Sequence, residues 1–477
     1  MKSNVRVRFA PSPTGEMHLG NIRVALFNYL FAKQKSGTFV LRIEDTDQQR
    51  NVELAGKKII EDLKWIGLSY DEGPIVGGEF GPYLQSERVK IYQEKLDELI
   101  SNQNVYRCFC TAEELEEKRK HQLAVGQPPR YAETCRNFSD DMIEKKLEKK
   151  MPFIWRLKIN HKAEVDIVSM ARGKMHFEMK NYADFALTRP DGSFTFMFAN
   201  FVDDWLMKIS HVIRGEDHLT NTAMQGALFH AFAVLLPTFW HLPIMCNTEG
   251  KKLSKRDFGF ALKDLQQAGF LPQAICNYLV TVGYSFKDEV QSLEELAKNF
   301  NFEHLHSSGA IRYDVEKLTW FNHKWIERLD SKILLNYAKP FLYHQLPQTK
   351  TLDDEKLAYL VGKVKTDAKT LNDFGALLTF YFQEPDVKKD VLDEKFGKEK
   401  VEIILQLISD TLENTDKADV FLDVLKSKGK ELNLKPKEFF GTFRYILSGR
   451  FQGLSMHDLL DMLDWEVIKS RINKISF

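Results

Sequence analysis

The sequence predicts an α/β domain that is interrupted by an insertion. An all-α region follows this domain. Three observations support this prediction. A strand, a helix and a second strand fit the first 50 residues, a charged and cysteine-containing stretch breaks the pattern over residues 88–190, and leucine-rich periodic segments dominate from residue 334. At roughly 150 residues per domain, the 477 residues have room for about three domains.

The first 50 residues predict a βαβ unit. Residues 5–9 alternate apolar and basic side chains, which indicates a short strand with one apolar face. Two prolines and a glycine in 10–15 favour a loop, and the apolar residues of 22–30 fall at helical spacing. Residues 39–43 predict a second strand, which ends in the polar segment 44–47. Short loops in this order give a right-handed parallel crossover, so we expect a ligand site beyond the carboxyl ends of the strands.

The remaining segments complete the organisation. Residues 205–213 predict a further strand that ends in Arg214-Gly-Glu-Asp-His218. The charged run 112–122 lies within the insertion and is typical of a helix. Segments such as 401–412 and 418–425 have helical periodicity, so we expect the C-terminal third to be helical.

The composition is that of an ordinary globular protein, with 43% hydrophobic and 28% charged residues. The longest apolar run, 231–236, is far shorter than the ~18 residues that span a bilayer, and residues 1–8 lack the apolar region of a secretory signal. Five cysteines are too few for a disulfide framework. We therefore expect a cytoplasmic protein with no membrane segment. Its net charge of zero neither favours nor excludes nucleic acid.

A histidine and a glycine lie where the first loop enters its helix. They are His18 and Gly20, within the segment 11–21. A helix N-terminus offers free N–H groups and partial positive charge, which suit a phosphate. The alternative is an ordinary Pro/Gly-rich connection.

A second, basic loop follows much later, at 250–256. Lys252 and Lys255 flank Ser254 and are able to neutralise charge on a triphosphate. The alternative is a solvated basic turn.

Together the two loops resemble motifs of the class I aminoacyl-tRNA synthetases. His18-Leu-Gly-Asn21 is similar to their HIGH motif, and Lys252-Leu-Ser-Lys-Arg256 is similar to their KMSKS loop. The segments 10–15, 42–47 and 212–218 resemble the bacterial glutamyl-tRNA synthetases in particular. The resemblance runs in order along the whole chain.

The resemblance implies a Rossmann-type catalytic domain with an inserted connective domain, followed by an all-α anticodon-binding region. The implied boundaries are 1–87 and 191–248 for the split catalytic domain, 88–190 for the connective insertion that binds the acceptor end of tRNA, 249–333 for the KMSKS loop and stem-contact domain, and 334–477 for the helical anticodon-binding region.

The family's reaction has two steps. The carboxylate of glutamate attacks the α-phosphate of Mg-ATP to give glutamyl-adenylate, and the terminal ribose hydroxyl of tRNA then takes the glutamyl group. The resemblance implies that His18 and Lys255 are the catalytic residues, through stabilisation of phosphate charge. The implied ATP-binding residues are Thr14, His18, Gly20, Asn21, Lys252, Ser254 and Lys255.

The resemblance also implies a glutamate pocket, formed by Arg8, Ser12, Glu44, Phe196, Asn200 and Arg214. Guanidinium groups suit the carboxylates of glutamate, and Glu44 suits its ammonium group. Phe196 stands where relatives usually carry tyrosine, so a phenolic hydroxyl is missing. The alternative for the arginines is ion pairing with the 44–47 segment.

Three cysteines of the insertion raise the question of whether the protein binds zinc. Cys108 and Cys110, followed by Cys135, resemble part of a zinc knob that many bacterial relatives complete with histidine. Asn137 stands at the histidine position and is a poor ligand, so Tyr131 is the candidate fourth ligand. The alternative is three free thiols left from an eroded site.

The implied partners are L-glutamate, ATP and tRNA-Glu, with tRNA-Gln alongside or instead of tRNA-Glu as an open alternative, and the family suggests a monomer. Candidate contacts to the acceptor end are Arg119, Lys120, Arg130 and Arg136, each of which also fits a solvated helical face. Candidate anticodon contacts are Phe439, Phe440, Phe443 and Arg444, although the phenylalanines also fit a core.

Four other functions compete with this interpretation. Glutaminyl-tRNA synthetase shares the catalytic core but carries a β-barrel anticodon region. Glutamyl-queuosine synthetase resembles the catalytic half only, and a small-molecule nucleotidyltransferase would not need the long helical tail. An inactive paralogue that binds tRNA is the non-enzymatic alternative, and the intact motif residues speak against it.

Overall fold

The computed structural model of the protein describes residues 4–13, 15–46, 55–303, 309–415 and 417–475. The chain forms two compact units. The first unit comprises residues 1–264 and 276–315, and the second comprises residues 265–275 and 316–477. The finer boundaries at residues 88, 191 and 249 stay a prediction.

The first unit combines strands with helices in its described residues. The strands are β1 (Arg6–Phe9), β2 (Thr38–Leu41), β3 (Val105–Cys108), β4 (Ile154–Leu157), β5 (Glu164–Ser169), β6 (Gly173–Glu178), β7 (His211–Gly215), β8 (Thr238–Leu242), β9 (Met245–Cys246) and β10 (Ile311–Arg312). The helices of the first unit, including three that cross its boundary, are α1 (Leu19–Gln34), α2 (Ala55–Ile66), α3 (Val89–Ser101), α4 (Ala112–Ala124), α5 (Asp140–Glu148), α6 (Phe196–Leu206), α7 (Leu219–Ala231), α8 (Leu262–Gln267), α9 (Pro272–Thr281), α10 (Leu293–Asn299) and α11 (Val315–Arg328). The remaining helices are α12 (Ser331–Gln345), α13 (Asp354–Val364), α14 (Asp373–Phe382), α15 (Lys389–Phe396), α16 (Lys398–Asn414), α17 (Ala418–Glu431), α18 (Pro436–Ser448), α19 (Met456–Met462) and α20 (Trp465–Asn473).

The βαβ unit predicted for the first 50 residues is confirmed. β1 and β2 are parallel, with Arg6 opposite Thr38 and Phe9 opposite Leu41, and α1 connects them. All four residues of β2 are buried, as are most residues of α1, because both pack into the core of the first unit. The α/β fold class is therefore as the sequence predicts.

Two further strands end beside the same cavity as β1 and β2. β7 and β8 are parallel neighbours in a sheet of order β6-β5-β8-β7. The backbone N–H of Ser210, just before β7, donates to the Arg6 carbonyl of β1 at 3.0 Å. The segments that follow β1, β2, β7 and β8 consequently line one cavity.

The predicted strand over 205–213 is wrong for residues 205–210. Trp205 and Leu206 end α6, and the strand begins only at His211. Lys208, between the two elements, has φ 54°, which ends the helix and re-aims the chain. The apolar run Trp205-Leu-Met207 is too short to show a helical period, so it fits a buried strand as well as the end of a helix.

The second unit is helical throughout its described residues, which confirms the predicted helical C-terminal third. In the candidate anticodon cluster, Phe439 and Phe443 are core residues, because their side chains are buried. Arg444 donates from Nε to the Leu454 carbonyl at 3.0 Å and from Nη1 to the Phe451 carbonyl at 3.1 Å. The guanidinium therefore holds a turn of its own unit. No helix among the described residues combines the length and apolar character of a membrane span.

Candidate active site

A cavity of about 920 Å³ in the first unit brings most of the predicted site residues together. Those that line it are Arg8, Ser12, His18, Gly20, Asn21, Glu44, Phe196, Asn200, Arg214, Lys252 and Lys255. Ser254 is exposed and is not part of the lining. Thr14 lies outside the described residues.

His18 caps the N-terminus of α1 through its ring. Its Nδ1 accepts a hydrogen bond from the backbone N–H of Asn21, and the Asn21 side-chain oxygen accepts from the backbone N–H of His18, both at 3.3 Å. The ring also stacks on Phe260, with centroids 4.8 Å apart. A Cβ on Gly20 would lie 3.0 Å from the His18 ring, so glycine leaves room for this orientation. With Nδ1 accepting, Nε2 of the neutral ring carries the proton and is able to donate to a ligand.

We expect His18 to stay neutral throughout the physiological pH range. Burial, and then the charge of Lys252, lower the pKa of His18 from 6.5 to about 4. Because the unfolded chain binds this proton more tightly, the neutral ring contributes stability above pH 6.5 that is lost as the pH falls toward 4. NMR titration of ¹³C-labelled histidines, with His18→Asn to assign the resonance, should give a midpoint near 4. A midpoint near 6.5 would contradict this assignment.

In the basic loop 250–256, Lys252 and Ser254 bind other side chains, whereas Lys255 binds none among the described residues. Lys252 Nζ pairs with Asp217 at 2.9 Å, and the Ser254 hydroxyl donates to Asp257 at 2.9 Å. Lys255 is exposed at the cavity wall, and among the described residues it makes no hydrogen bond or ion pair. Its ammonium group is thus available to a bound anion.

Arg8 has a partner that the sequence did not suggest. Its Nε and Nη2 donate to the two carboxylate oxygens of Asp204 at 3.1 and 3.2 Å. Arg42, rather than Arg8, pairs with Glu44, at 2.9 Å, and it also contacts Asp204 at 2.8 Å. Ion pairing with the 44–47 segment, the alternative considered for Arg8 and Arg214, is thus made by Arg42 instead.

Arg214 belongs to a network of buried arginines and carboxylates, and it is the arginine of that network with no carboxylate partner among the described residues. The buried arginines of the network are Arg8, Arg42, Arg88 and Arg214, and its buried carboxylates are Glu44, Asp203 and Asp204. Arg88 pairs with Asp203 at 2.7 Å. Arg214 pairs with no carboxylate among the described residues, and its Nε and Nη1 are buried without a hydrogen-bond partner. Burial, and then the like charge of Arg8, lower its pKa to about 9. An anion bound at Nε and Nη1 would remove this cost.

Arg23 is another buried guanidinium at the cavity wall, outside this network. Its Nη1 donates to the Pro243 carbonyl at 3.1 Å, and its Nε and Nη2 are buried without a partner among the described residues. Burial lowers the pKa of Arg23 to about 10, and the interaction that opposes this shift is with Tyr284. For Arg214, by contrast, the charge of Glu44 is one of those that oppose the lowering of the pKa. Arg214 is therefore the incompletely paired guanidinium that adjoins Glu44.

Glu44 contributes a buried carboxylate to the same cavity. Glu44 accepts hydrogen bonds from Arg42 at 2.9 Å and from the side-chain amide of Asn200 at 2.5 Å. Burial raises the pKa of Glu44 despite Arg42, so a bound ammonium group would stabilise its charged form. Phe196 packs against His218, with ring centroids 5.8 Å apart.

Sequence reasoning missed Asp204, Asp217 and Phe260, and the signals they gave differ. Asp217 lies inside the segment 214–218 that we singled out, and it binds Lys252. Asp203 and Asp204 could have been noticed in the sequence, because two adjacent acidic residues in a largely apolar segment must pair with cations if they are buried. Phe260 gave no signal, because its contact with His18 joins residues far apart in the chain.

The cysteine set forms a separate cluster in the insertion. The Sγ atoms of Cys108, Cys110 and Cys135 lie within 4.8 Å of one another, and the last two are 3.7 Å apart. The Tyr131 hydroxyl lies 3.2 Å from Cys108 Sγ, whereas Asn137 is exposed. The five cysteines all lie among the described residues, and none of them forms a disulfide.

The basic residues of the insertion differ in availability. Arg136 is held internally by Asp184 at 2.8 Å and by the Ile159 carbonyl at 2.8 Å. Lys120 and Arg130 are exposed and remain candidates for contact with nucleic acid.

Comparison with known proteins agrees with the resemblance to the glutamyl-tRNA synthetases. Residues 4–320 match the catalytic domain of the class I tRNA synthetases (E and Q), and residues 333–476 match an anticodon binding domain. The chain is 36% identical to the glutamate–tRNA ligase of Finegoldia magna and 37% identical to glutamate–tRNA ligase 1 of Pseudothermotoga lettingae, with 99% of each chain covered in both alignments. A solved glutamate tRNA ligase from Elizabethkingia meningosepticum, in complex with its amino acid, has a TM-score of 0.88 to this structure at 33% identity, again with 99% of each chain covered.

Proposed function

The chain belongs to the class I tRNA synthetases for glutamate and glutamine, and on that basis we propose a role for each part of its cavity. Its activity is that of a glutamate–tRNA ligase, which joins glutamate to tRNA-Glu with ATP. The all-α second unit fits this activity, because glutaminyl-tRNA synthetases carry a β-barrel at that place. We expect the enzyme to act as a monomer in the cytoplasm.

The observation that carries the proposal is the buried guanidinium of Arg214, which has no carboxylate partner among the described residues. A carboxylate is the group that best satisfies a planar guanidinium in a dry site. The other arginines of the network, Arg8, Arg42 and Arg88, are each already paired with a carboxylate. We assign Arg214 to the side-chain carboxylate of glutamate and Glu44 to its ammonium group. Glutamine would leave the charge of Arg214 unpaired and is thereby rejected.

We place adenylate formation at His18 and Lys255, which line the same cavity. A carboxylate oxygen of glutamate attacks the α-phosphorus of Mg-ATP, the bond from that phosphorus to the bridging oxygen breaks, and pyrophosphate leaves. Nε2–H of His18 and the ammonium group of Lys255 donate to the phosphate oxygens as charge develops on them. The terminal ribose hydroxyl of tRNA then attacks the glutamyl carbonyl carbon and AMP leaves.

A charging assay tests this function. Purified tRNA-Glu and tRNA-Gln are each incubated with enzyme, labelled glutamate, ATP and magnesium. Charging of tRNA-Glu alone is the result of a discriminating enzyme, and charging of tRNA-Gln as well means that the second unit accepts the other anticodon. Charging of neither tRNA by folded protein would overturn the proposal in favour of a tRNA-binding module.

We also propose that the cysteine cluster holds a structural zinc ion. The separation of 3.7 Å between Cys110 Sγ and Cys135 Sγ is close to the ~3.8 Å expected for two thiolates on a tetrahedral zinc with bonds of ~2.3 Å. The acidity of the thiols does not decide the matter: although burial opposes the shift, hydrogen bonds with Tyr131 and Arg156 lower the pKa of Cys108, whereas burial, and then Cys108, raise the pKa of Cys110 to about 12. The support for the ion is therefore the spacing of the sulfur atoms. Tyr131 would supply the fourth ligand, and the ion would tie the ends of the insertion's loop together.

Elemental analysis of tag-free protein should give about one zinc per chain. Cys110→Ser should lose the metal, and Tyr131→Phe should weaken its retention against a chelator by about ten-fold or more. Tyr182→Phe, in the same insertion but away from the cluster, is the matched control. Metal-free wild-type protein would mean that the cysteines are three free thiols.

A further inference from the structure

Arg214 is held by a hydrogen-bonded pair of buried side chains that have no other assigned role. Its Nη2 donates to Thr222 Oγ1 at 2.6 Å, and Thr222 Oγ1 lies 2.7 Å from His241 Nε2. Thr222 is fully buried and His241 is 3% exposed. The three residues come from β7, α7 and β8, and Arg214 and His241 face each other in the register of the two parallel strands.

The direction of these hydrogen bonds follows from the chemistry of the groups. A guanidinium only donates, so the Thr222 oxygen must accept from Arg214. The Thr222 hydroxyl donates to the His218 carbonyl at 3.3 Å, and its oxygen also accepts from Nε2–H of His241 at 2.7 Å. This tautomer leaves no buried N–H of His241 without an acceptor, because Nδ1 has no hydrogen-bond partner among the described residues. Burial, and then the charge of Arg214, lower the pKa of His241 to about 3, so its ring is neutral. His241 therefore adds no repulsive charge beside Arg214.

We propose that Thr222 and His241 are positioning residues for glutamate recognition: they fix the rotation of the Arg214 guanidinium so that Nε and Nη1 face the substrate carboxylate. Three features support this inference. The hydrogen bond to Thr222 is the one that Arg214 makes among the described residues, and without it the guanidinium would have no polar contact to define its orientation. Thr222 in turn is oriented from its far side by His241, whose ring stacks nearly parallel to Phe239, at 4°. A guanidinium placed in advance binds a carboxylate with less loss of side-chain entropy.

The inference rests on the proposed role of Arg214, and the test separates the two. Thr222→Val keeps the shape of the side chain and removes the hydroxyl, whereas Thr222→Ser keeps the hydroxyl. Steady-state ATP–pyrophosphate exchange gives kcat and the KM values for glutamate and ATP. We expect Thr222→Val to raise the KM for glutamate by about 10- to 50-fold, as for loss of a hydrogen bond to a charged group, with the KM for ATP and kcat within about three-fold of wild type. Thr222→Ser should restore the KM for glutamate to within about three-fold, and His241→Phe should raise it less than Thr222→Val does.

Other outcomes overturn one or both proposals. An unchanged KM for glutamate in Thr222→Val, while Arg214→Leu loses activity, would remove Thr222 and leave Arg214 in its role. Unchanged values in both variants would remove the proposed role of Arg214 as well. Equal increases in the KM for glutamate and ATP, without rescue by Thr222→Ser, would mean that Thr222 acts only through packing.

Discussion

Arg214→Leu should lower kcat/KM for glutamate by about 10³-fold or more, the largest effect that we expect from a single substitution. The reason is that a carboxylate bound in a dry pocket would lose its one dedicated cation, which typically costs several kcal/mol. ATP–pyrophosphate exchange at saturating ATP measures the effect. The thermal stability of the unliganded protein should stay equal or rise, because leucine replaces a buried charge that has no carboxylate partner among the described residues.

The matched control for this substitution is Arg312→Leu. Arg312 is an exposed arginine of the first unit that does not line the cavity. Its variant should have wild-type kinetics. Normal activation of glutamate by a folded Arg214→Leu enzyme would refute the assignment of Arg214.

Lys255→Ala should reduce the rate of adenylate formation by about 10²- to 10³-fold, with the KM for glutamate within about three-fold of wild type. Lys255 lies on the cavity wall with its ammonium group uncommitted, so it is available to stabilise charge on the phosphates as that charge develops. Single-turnover formation of glutamyl-adenylate in a quenched-flow instrument measures the rate.

Lys251→Ala is the control for Lys255→Ala. Lys251 is exposed, pairs with Glu249 at 2.8 Å and lies outside the cavity lining. An unchanged rate in Lys255→Ala would remove Lys255 from the mechanism, and an equal loss in both variants would indicate a general effect of loop charge.

The parts of the fold that could be predicted from sequence are those in which local pattern and structure agree. β1, α1 and β2 follow one another with short loops, and each has its own periodicity. The HIGH-like and KMSKS-like segments line one cavity, but they could be related to each other only through the resemblance to the synthetases, because each alone also fits an ordinary loop.

The parts that could not be predicted depend on contacts between distant residues. Asp204 lies 196 positions from Arg8, and His241 lies 19 positions from Thr222, so neither partner is visible in a local pattern. The 205–213 error has a different cause, since the apolar residues at the end of α6 are too few to show a helical period. Consequently the local patterns could identify arginines that surround the pocket but not which of them lacks a carboxylate.

A crystal structure of the wild-type enzyme with a non-hydrolysable glutamyl-adenylate analogue tests the central claim most directly. We predict that the side-chain carboxylate of the analogue lies about 2.7–3.2 Å from Nε or Nη1 of Arg214, while Arg8 stays paired with Asp204. A carboxylate bound instead by Arg8, with its ion pair to Asp204 broken and Arg214 still unpaired, would contradict the account.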